Sequence, residues 1–161
     1  MEPRIEILSG LKLIGKRMRM SLSANKTGEL WKSFMQQRNL ITNAVGTNLY
    51  SVQIYAPSYF DRYNPSLEFE KWAAAEVPDF SEIPEGMEAL EVPGGSYAVF
   101  LYRGNPNAGA VIFQYIFGTW LPGSDYLTDN RPHFEILGDN YRNDDPGSEE
   151  EIWVPIKSKH L

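Results

Sequence analysis

Polar and apolar positions alternate cleanly along Tyr50-Ser51-Val52-Gln53-Ile54-Tyr55, the period-two signature of a half-buried strand. Leu11–Met18 is apolar-rich with partial alternation and predicts the first strand of the chain. The period changes over Thr27–Arg38. There Leu30 with Phe34, and Trp31 with Met35, recur four residues apart, while Lys32 and Gln36 fall opposite. That spacing predicts a helix, and both apolar stripes are read as core. A loop over Tyr59–Ser66, with an Asn64-Pro65 breaker, leads to a strand over Phe69–Val77 that contains Trp72. Pro78 and Pro84-Glu85-Gly86 punctuate the middle of the chain. Ala89–Pro93 then leads into the Gly94-Gly95 turn signal, and Ser96–Tyr102 predicts a buried strand. Asn105-Pro106-Asn107 is a helix start. The helix is expected over Ala108–Trp120, apolar nearly all round and therefore buried, with Pro122-Gly123 as its stop. Pro132–Leu137 and Glu149–Lys157 predict the last two strands, flanking an acidic loop at Gly138–Ser148.

The two halves share one order: strand, helix, strand, strand. Each helix carries one tryptophan (Trp31, Trp120), and so does each final strand (Trp72, Trp153). The expected fold class is α+β, built from two β-α-β-β units related by a pseudo-two-fold, with half-repeats near 4–84 and 85–161. Such a duplication leaves a groove between the half-sheets, where ligands sit. A length of 161 residues fits one domain at roughly 100–200 residues each.

Composition narrows the function. There is no cysteine, which excludes disulfide scaffolds, thiolate metal sites and cysteine nucleophiles. The net charge of −6 disfavours direct nucleic-acid binding, which needs a basic field. No signal peptide, membrane span or lipidation signal is evident, so the expectation is a cytoplasmic protein with no membrane partner. The aromatic share is 13%, from 4 Trp, 9 Tyr and 8 Phe, enough to build a ligand cage as well as a core. Glu135 sits beside Phe134 and Ile136 and shares a strand face with His133 and Leu137. Spacing alone leaves it either an exposed edge residue or a cavity carboxylate, and favours the first.

Tyr97-Ala98-Val99-Phe100, the aromatic-rich second helix and the tail Phe134-Glu135-Ile136-Leu137 … Glu151-Ile152-Trp153-Val154-Pro155-Ile156-Lys157 resemble the GyrI-like small-molecule-binding domain. That domain is also the effector-binding half of multidrug-sensing activators of the AraC and MerR types. The resemblance runs from about Arg4 to Lys157. It implies two SH2-like β-α-β-β motifs around a U-shaped groove, with a glutamate at the position of Glu135 on its floor among aromatics. It implies a stand-alone binding module without the helix-turn-helix of the activators. The expected ligand is a lipophilic cationic or planar aromatic small molecule. The alternatives are a hydrolase that opens cyclopropane rings of alkylating toxins, with Glu135 as general base, and a gyrase-inhibitor-type protein-interaction module using the acidic face of Asp139–Glu151. The protein partner this implies is a regulator protein or a second copy of the chain.

A desolvated carboxylate has a raised pKa, and a weakly hydrated cation relieves that penalty. Candidate ligand-binding residues beside Glu135 are Trp153, to stack on a planar cation, and its pseudo-symmetric mate Trp72 on the other wall. Tyr50 is preferred over Tyr55, since the two lie on opposite faces of one strand. Tyr97 and Phe100, also of opposite parity, complete the set. Phe113 and Tyr115 are read as core. Asp139, Asp144, Asp145 and Glu149–Glu151 lack Ca²⁺-loop spacing and read as a solvated loop. His133 and His160 have no metal-site context. No cofactor or metal is expected.

Overall fold

The computed structural model describes residues 1–160. The period-two segments become strands of a sheet whose one face carries helices at its two ends and whose other face carries a layer of apolar and aromatic side chains. Among the described residues there are nine strands: β1 (Arg4–Leu8), β2 (Leu11–Ser21), β3 (Leu49–Ile54), β4 (Glu68–Glu76), β5 (Glu88–Val92), β6 (Gly95–Arg103), β7 (Tyr126–Thr128), β8 (His133–Leu137) and β9 (Glu149–Ser158). Helix α1 (Thr27–Gln37) connects β2 to β3, and α2 (Gly109–Tyr115) lies between β6 and β7. Eight strands run in the order β1-β6-β9-β8-β3-β4-β2-β5, and β7 pairs with the far end of β9. Every pairing is antiparallel.

The duplicated architecture is present. The units β2-α1-β3-β4 and β6-α2-β8-β9 occupy equivalent places about the β3–β8 seam. The strand leading into each unit pairs with the first strand of the other. β1 precedes β2 yet pairs with β6, and β5 precedes β6 yet pairs with β2. These crossed edge strands strap the units together. Neither segment is among the predicted strands: Arg4-Ile5-Glu6-Ile7 alternates but is short and leaves Ile5 and Ile7 exposed, and Glu88–Val92 has little alternation, so pairing supplies what local pattern does not.

Residues directly opposite in an antiparallel pair share a face. On the upper face, Ile14, Met20, Phe69, Ala73 and Ala75 pack with Leu30 and Phe34 of α1. At the other end of that face, Ala98, Phe100, Ile152, Val154 and Ile156 pack with Ile112 of α2 and with Ile116. The lower face is a third core of Leu13, Tyr50, Val52, Trp72, Tyr97, Val99 and Phe134.

Two expectations about the helices change. In α1, Leu30 and Phe34 are buried, but Met35 is exposed and Trp31 only half-buried. A helix resting on a flat sheet buries one stripe rather than two. The second helical segment is also one-sided: Ile112 and Ile116 are buried while Val111 is 71% exposed. It is not one regular helix either. A 3-10 turn over Pro106–Ala108 precedes α2, and a π-helical turn over Ile116–Trp120 follows it.

Gly15 on β2 faces Ala74 on β4. A Cβ built on Gly15 would lie 2.7 Å from both Cα and Cβ of Ala74. Gly15→Val is therefore expected to lower stability by about 1–3 kcal/mol, measured by urea denaturation. An unchanged midpoint would contradict this packing.

Candidate functional site

α1 and α2 cover the two ends of the upper face and leave its centre, where β3 meets β8, between them. The register fixes which side chains floor this crevice. Ser51 is opposite Ala73 and Glu135, Gln53 is opposite Lys71 and His133, and Glu135 is opposite Ile152. Ser51, Gln53, Lys71, His133 and Glu135 therefore point the same way. Glu150, two residues before Ile152 on β9, joins them. Ser51, Gln53 and His133 are buried polar groups. Gln53 Nε2 donates to Ser51 Oγ at 3.1 Å, which leaves Gln53 Oε1 buried without a partner.

Glu135 holds the most perturbed carboxyl of the site. Burial pushes its pKa up to about 8; Lys71 pulls it back, Glu150 raises it again and the nearby Gln53 amide lowers it. Its surface is partly accessible, as expected for a group at the bottom of a narrow cleft: water reaches it, but protein occupies most of its surroundings. Burial likewise raises Glu150 to about 6, against the pull of Lys71. Lys71 is itself lowered by burial, although Glu135 and Glu150 both favour its charge. Among the described residues, Glu135, Glu150 and Lys71 form no ion pair within 4 Å. His133, desolvated, falls to about 3 and is neutral.

A cluster of rings stands at one end of this floor. Tyr55 packs 4.5 Å from Tyr59, 4.9 Å from Phe60 and 5.0 Å from His133, centroid to centroid. Phe60 stacks on Phe117 of the π-helical turn at 4.9 Å, and Phe117 is parallel to Phe113 at 6.1 Å. Phe60 thus links the loop of the first unit to the helix of the second. Tyr55 is held well above its usual pKa by burial first, then by Glu135. A cavity of about 180 Å³ opens beside the cluster, between Tyr55, Phe60, His133 and Arg131. Glu135 is outside its lining. A second depression, of about 280 Å³, follows the acidic strip of Asp139 and Glu149–Glu151 and contains no ring.

The sequence-derived candidates separate by parity. Glu135 faces the crevice. Trp153 is opposite Phe134, not Glu135, and stacks on it at 5.2 Å beneath the sheet. Tyr50, Trp72 and Tyr97 lie in the same lower core. Trp72 and Trp153 are related as expected, each indole N–H donating to the carboxylate two residues earlier, Glu70 at 2.8 Å and Glu151 at 3.1 Å. Phe100 is on the upper face but fully buried under the second helical segment, edge-on to Trp120 at 5.2 Å. The preference between Tyr50 and Tyr55 inverts: Tyr55 reaches the crevice and Tyr50 does not. Phe113, assigned to the core, joins the ring cluster. Ser51 and Gln53 look like the wet side of an alternating strand and are instead the crevice floor. Glu150, grouped with a solvated loop, turns into it. Among the described residues no three His, Asp or Glu side chains converge as a metal-ligand set.

Comparison with known proteins places this geometry. The transcriptional regulator BrlR of Pseudomonas aeruginosa is 27% identical over 157 residues, covering 97% of this chain and 56% of its own length. A DNA gyrase inhibitor of Erwinia billingiae is 32% identical over 98 residues, covering 57% of this chain and 61% of its own. The chain thus spans a little over half the length of these relatives. The structure of SAV2435 bound to tetraphenylphosphonium superposes with a TM-score of 0.77 at 17% identity, over 98% of this chain and 94% of that one, a likeness of fold. The Cass2 family, integron-associated effector binding protein, matches residues 4–156. That match spans nearly the whole chain, and the chain belongs to the Cass2 family of integron-associated effector binding proteins.

Proposed function

We propose that the crevice captures lipophilic organic cations, with Glu135 as the charge partner and the rings around Tyr55 as the stacking surface. The observation that carries this reading is a crowded Glu135 carboxyl without an ion pair among the described residues, pushed to about 8, next to a cluster of neutral rings. Such a group supports a cation that sheds its water cheaply. Delocalised or shielded charges meet that condition, and compact ammonium ions do not. SAV2435, of like fold, is described bound to tetraphenylphosphonium, a cation of that kind. The relationship to a transcriptional regulator supports a sensing role read out by a regulatory partner.

The rings are drawn together over the end of the floor, so entry of a ligand requires one of them to move. Phe60 is the ring placed to do so: it is 42% exposed, on a loop, and held mainly by stacking. A flat cation that takes its place against Tyr55 and Phe117 would exchange one aromatic contact for another while placing its charge toward Glu135.

Glu135 is protonated at neutral pH and must ionise to pair with the cation. Affinity for a lipophilic cation such as tetraphenylphosphonium is therefore expected to rise about tenfold per pH unit up to about 8, then level off. Close to one proton should be released per cation bound at pH 7, measured by calorimetry in buffers of different ionisation enthalpy. Glu135→Gln should weaken binding on the order of 30-fold or more and abolish the proton release. Equal affinity of the two proteins would refute the charge pairing. Tyr55→Leu should cost about 0.5–2 kcal/mol of binding, measured by the same titration.

The free protein carries a matching signature. Because the folded-state pKa is raised, the stability contributed by protonated Glu135 is full below about 4.5 and is lost as pH rises through about 8. Glu135→Gln should match the parent's stability at about pH 4 and exceed it at pH 8.5 by on the order of a few kcal/mol, measured by denaturant unfolding. A constant difference at both pH values would contradict the burial of this carboxyl.

A further inference from the structure

The crevice holds two carboxyls that burial pushes up, Glu135 and Glu150, and one ammonium, Lys71, that burial pulls down while both carboxylates favour its charge. Glu135 on β8, Glu150 on β9 and Lys71 on β4 share its face. Lys71 acts on both carboxylates, and both act on Lys71. Of the other titratable groups nearby, Arg131 beside His133 is charged but already paired with Asp129 at 2.7 Å, and the rest are neutral. Burial holds Tyr55 and Tyr141 above the usual tyrosine range, and desolvation holds His133 uncharged. With both carboxylates ionised, the charge count is two negative against one positive. Removing water from the cleft strengthens each of these interactions, so that count governs what can enter.

We infer that Lys71 sets the valence of the ligand: as the resident counter-ion of two crevice carboxylates, its ammonium leaves a single negative charge unspent, so the crevice takes monocations and refuses dications. This rests on the reading of the crevice as a cation site and adds to it a rule that the Glu135–aromatic pairing does not contain. A flat monocation brings the cleft to neutrality. A dication of the same shape leaves an excess positive charge beside Lys71 in a poorly hydrated space, a like-charge contact that binding must overcome. The rule also gives Glu150 a role. It offsets Lys71, so that Glu135 remains free for the ligand.

Two rigid biaryls of nearly equal size separate the charges from the shape: N-methyl-4-(p-tolyl)pyridinium, with one positive charge, and N,N′-dimethyl-4,4′-bipyridinium, with two. Both are titrated at pH 7.5 against the full chain and its variants. The parent should favour the monocation about tenfold or more. Lys71→Met should shift the ratio toward the dication by about tenfold or more, and Lys71→Arg, which keeps the charge, should retain the parent's preference. Glu150→Gln should weaken the monocation about tenfold, because Lys71 then neutralises Glu135. Lys71→Met combined with Glu150→Gln should restore it, since the count returns to one. A role in packing alone would not produce that restoration, nor would it move the pH at which monocation affinity levels off, which should rise in Lys71→Met. If the parent binds the monocation but Lys71→Met leaves the ratio unchanged, the valence rule is overturned and the cation site stands. If parent and Glu135→Gln alike bind neither compound, both are overturned.

Discussion

The site depends on the incomplete compensation of one charge. A carboxyl on the central strand of a sheet, with helices rising on either side, loses most of its hydration. Lys71 returns part of what is lost, and Glu150 takes some of that away. The balance leaves Glu135 protonated at neutral pH, and under the proposed function it ionises to pair with a bound cation. With a direct salt bridge the carboxylate would be paired and unresponsive. In open solvent it would pair weakly with any cation and discriminate among none.

The fold supplies this environment through its symmetry. Two strand–helix–strand–strand units meet along β3 and β8, and each helix sits over its own unit, which leaves the seam uncovered. The seam is where an ordinary sheet would be most deeply buried. Here its upper face carries Ser51, Gln53, His133 and Glu135, while the lower face remains a dry core. The crossed pairings of β1 and β5 tie the units together at the outer edges of the sheet, and the seam itself is a continuous β3–β8 ladder. At one end of the crevice stands the ring cluster, where Phe60 bridges a loop of one unit to the helical segment of the other.

Much of the architecture is legible in the sequence because it is written in local periodicity. The alternation of Tyr50–Tyr55, the helical spacing of Leu30 and Phe34, and the repeated order of elements lead to the duplicated α+β fold, and the residues around Tyr97 and Glu135 lead to the family. The contents of the crevice are harder to read, for a definite reason. Alternation separates two faces of a strand but does not say which face will be covered by helices at one end and open at the middle. Ser51 and Gln53 look like a solvent side. The aromatic excess points to a cage, but the largest rings, Trp72 and Trp153, pack beneath the sheet, where bulk is needed to fill space. Apart from Phe113 on α2, the rings that reach the crevice come from a loop (Tyr59, Phe60), from the residue after a strand (Tyr55) and from an irregular helical turn (Phe117), none of which has a period to follow. Lys71 and Glu150 are invisible for a related reason: each is one charge among many until register puts them on the same face of the sheet as Glu135.

The central claim is that Glu135 is protonated in the empty protein and ionised in the occupied one. Carbon-13 NMR of selectively labelled glutamate carboxyls, titrated with and without a saturating lipophilic monocation, measures both states at one atom. The account predicts a free midpoint near 8 that falls by at least about two units when the cation is bound. A free midpoint in the ordinary glutamate range, unmoved by the cation, would contradict it.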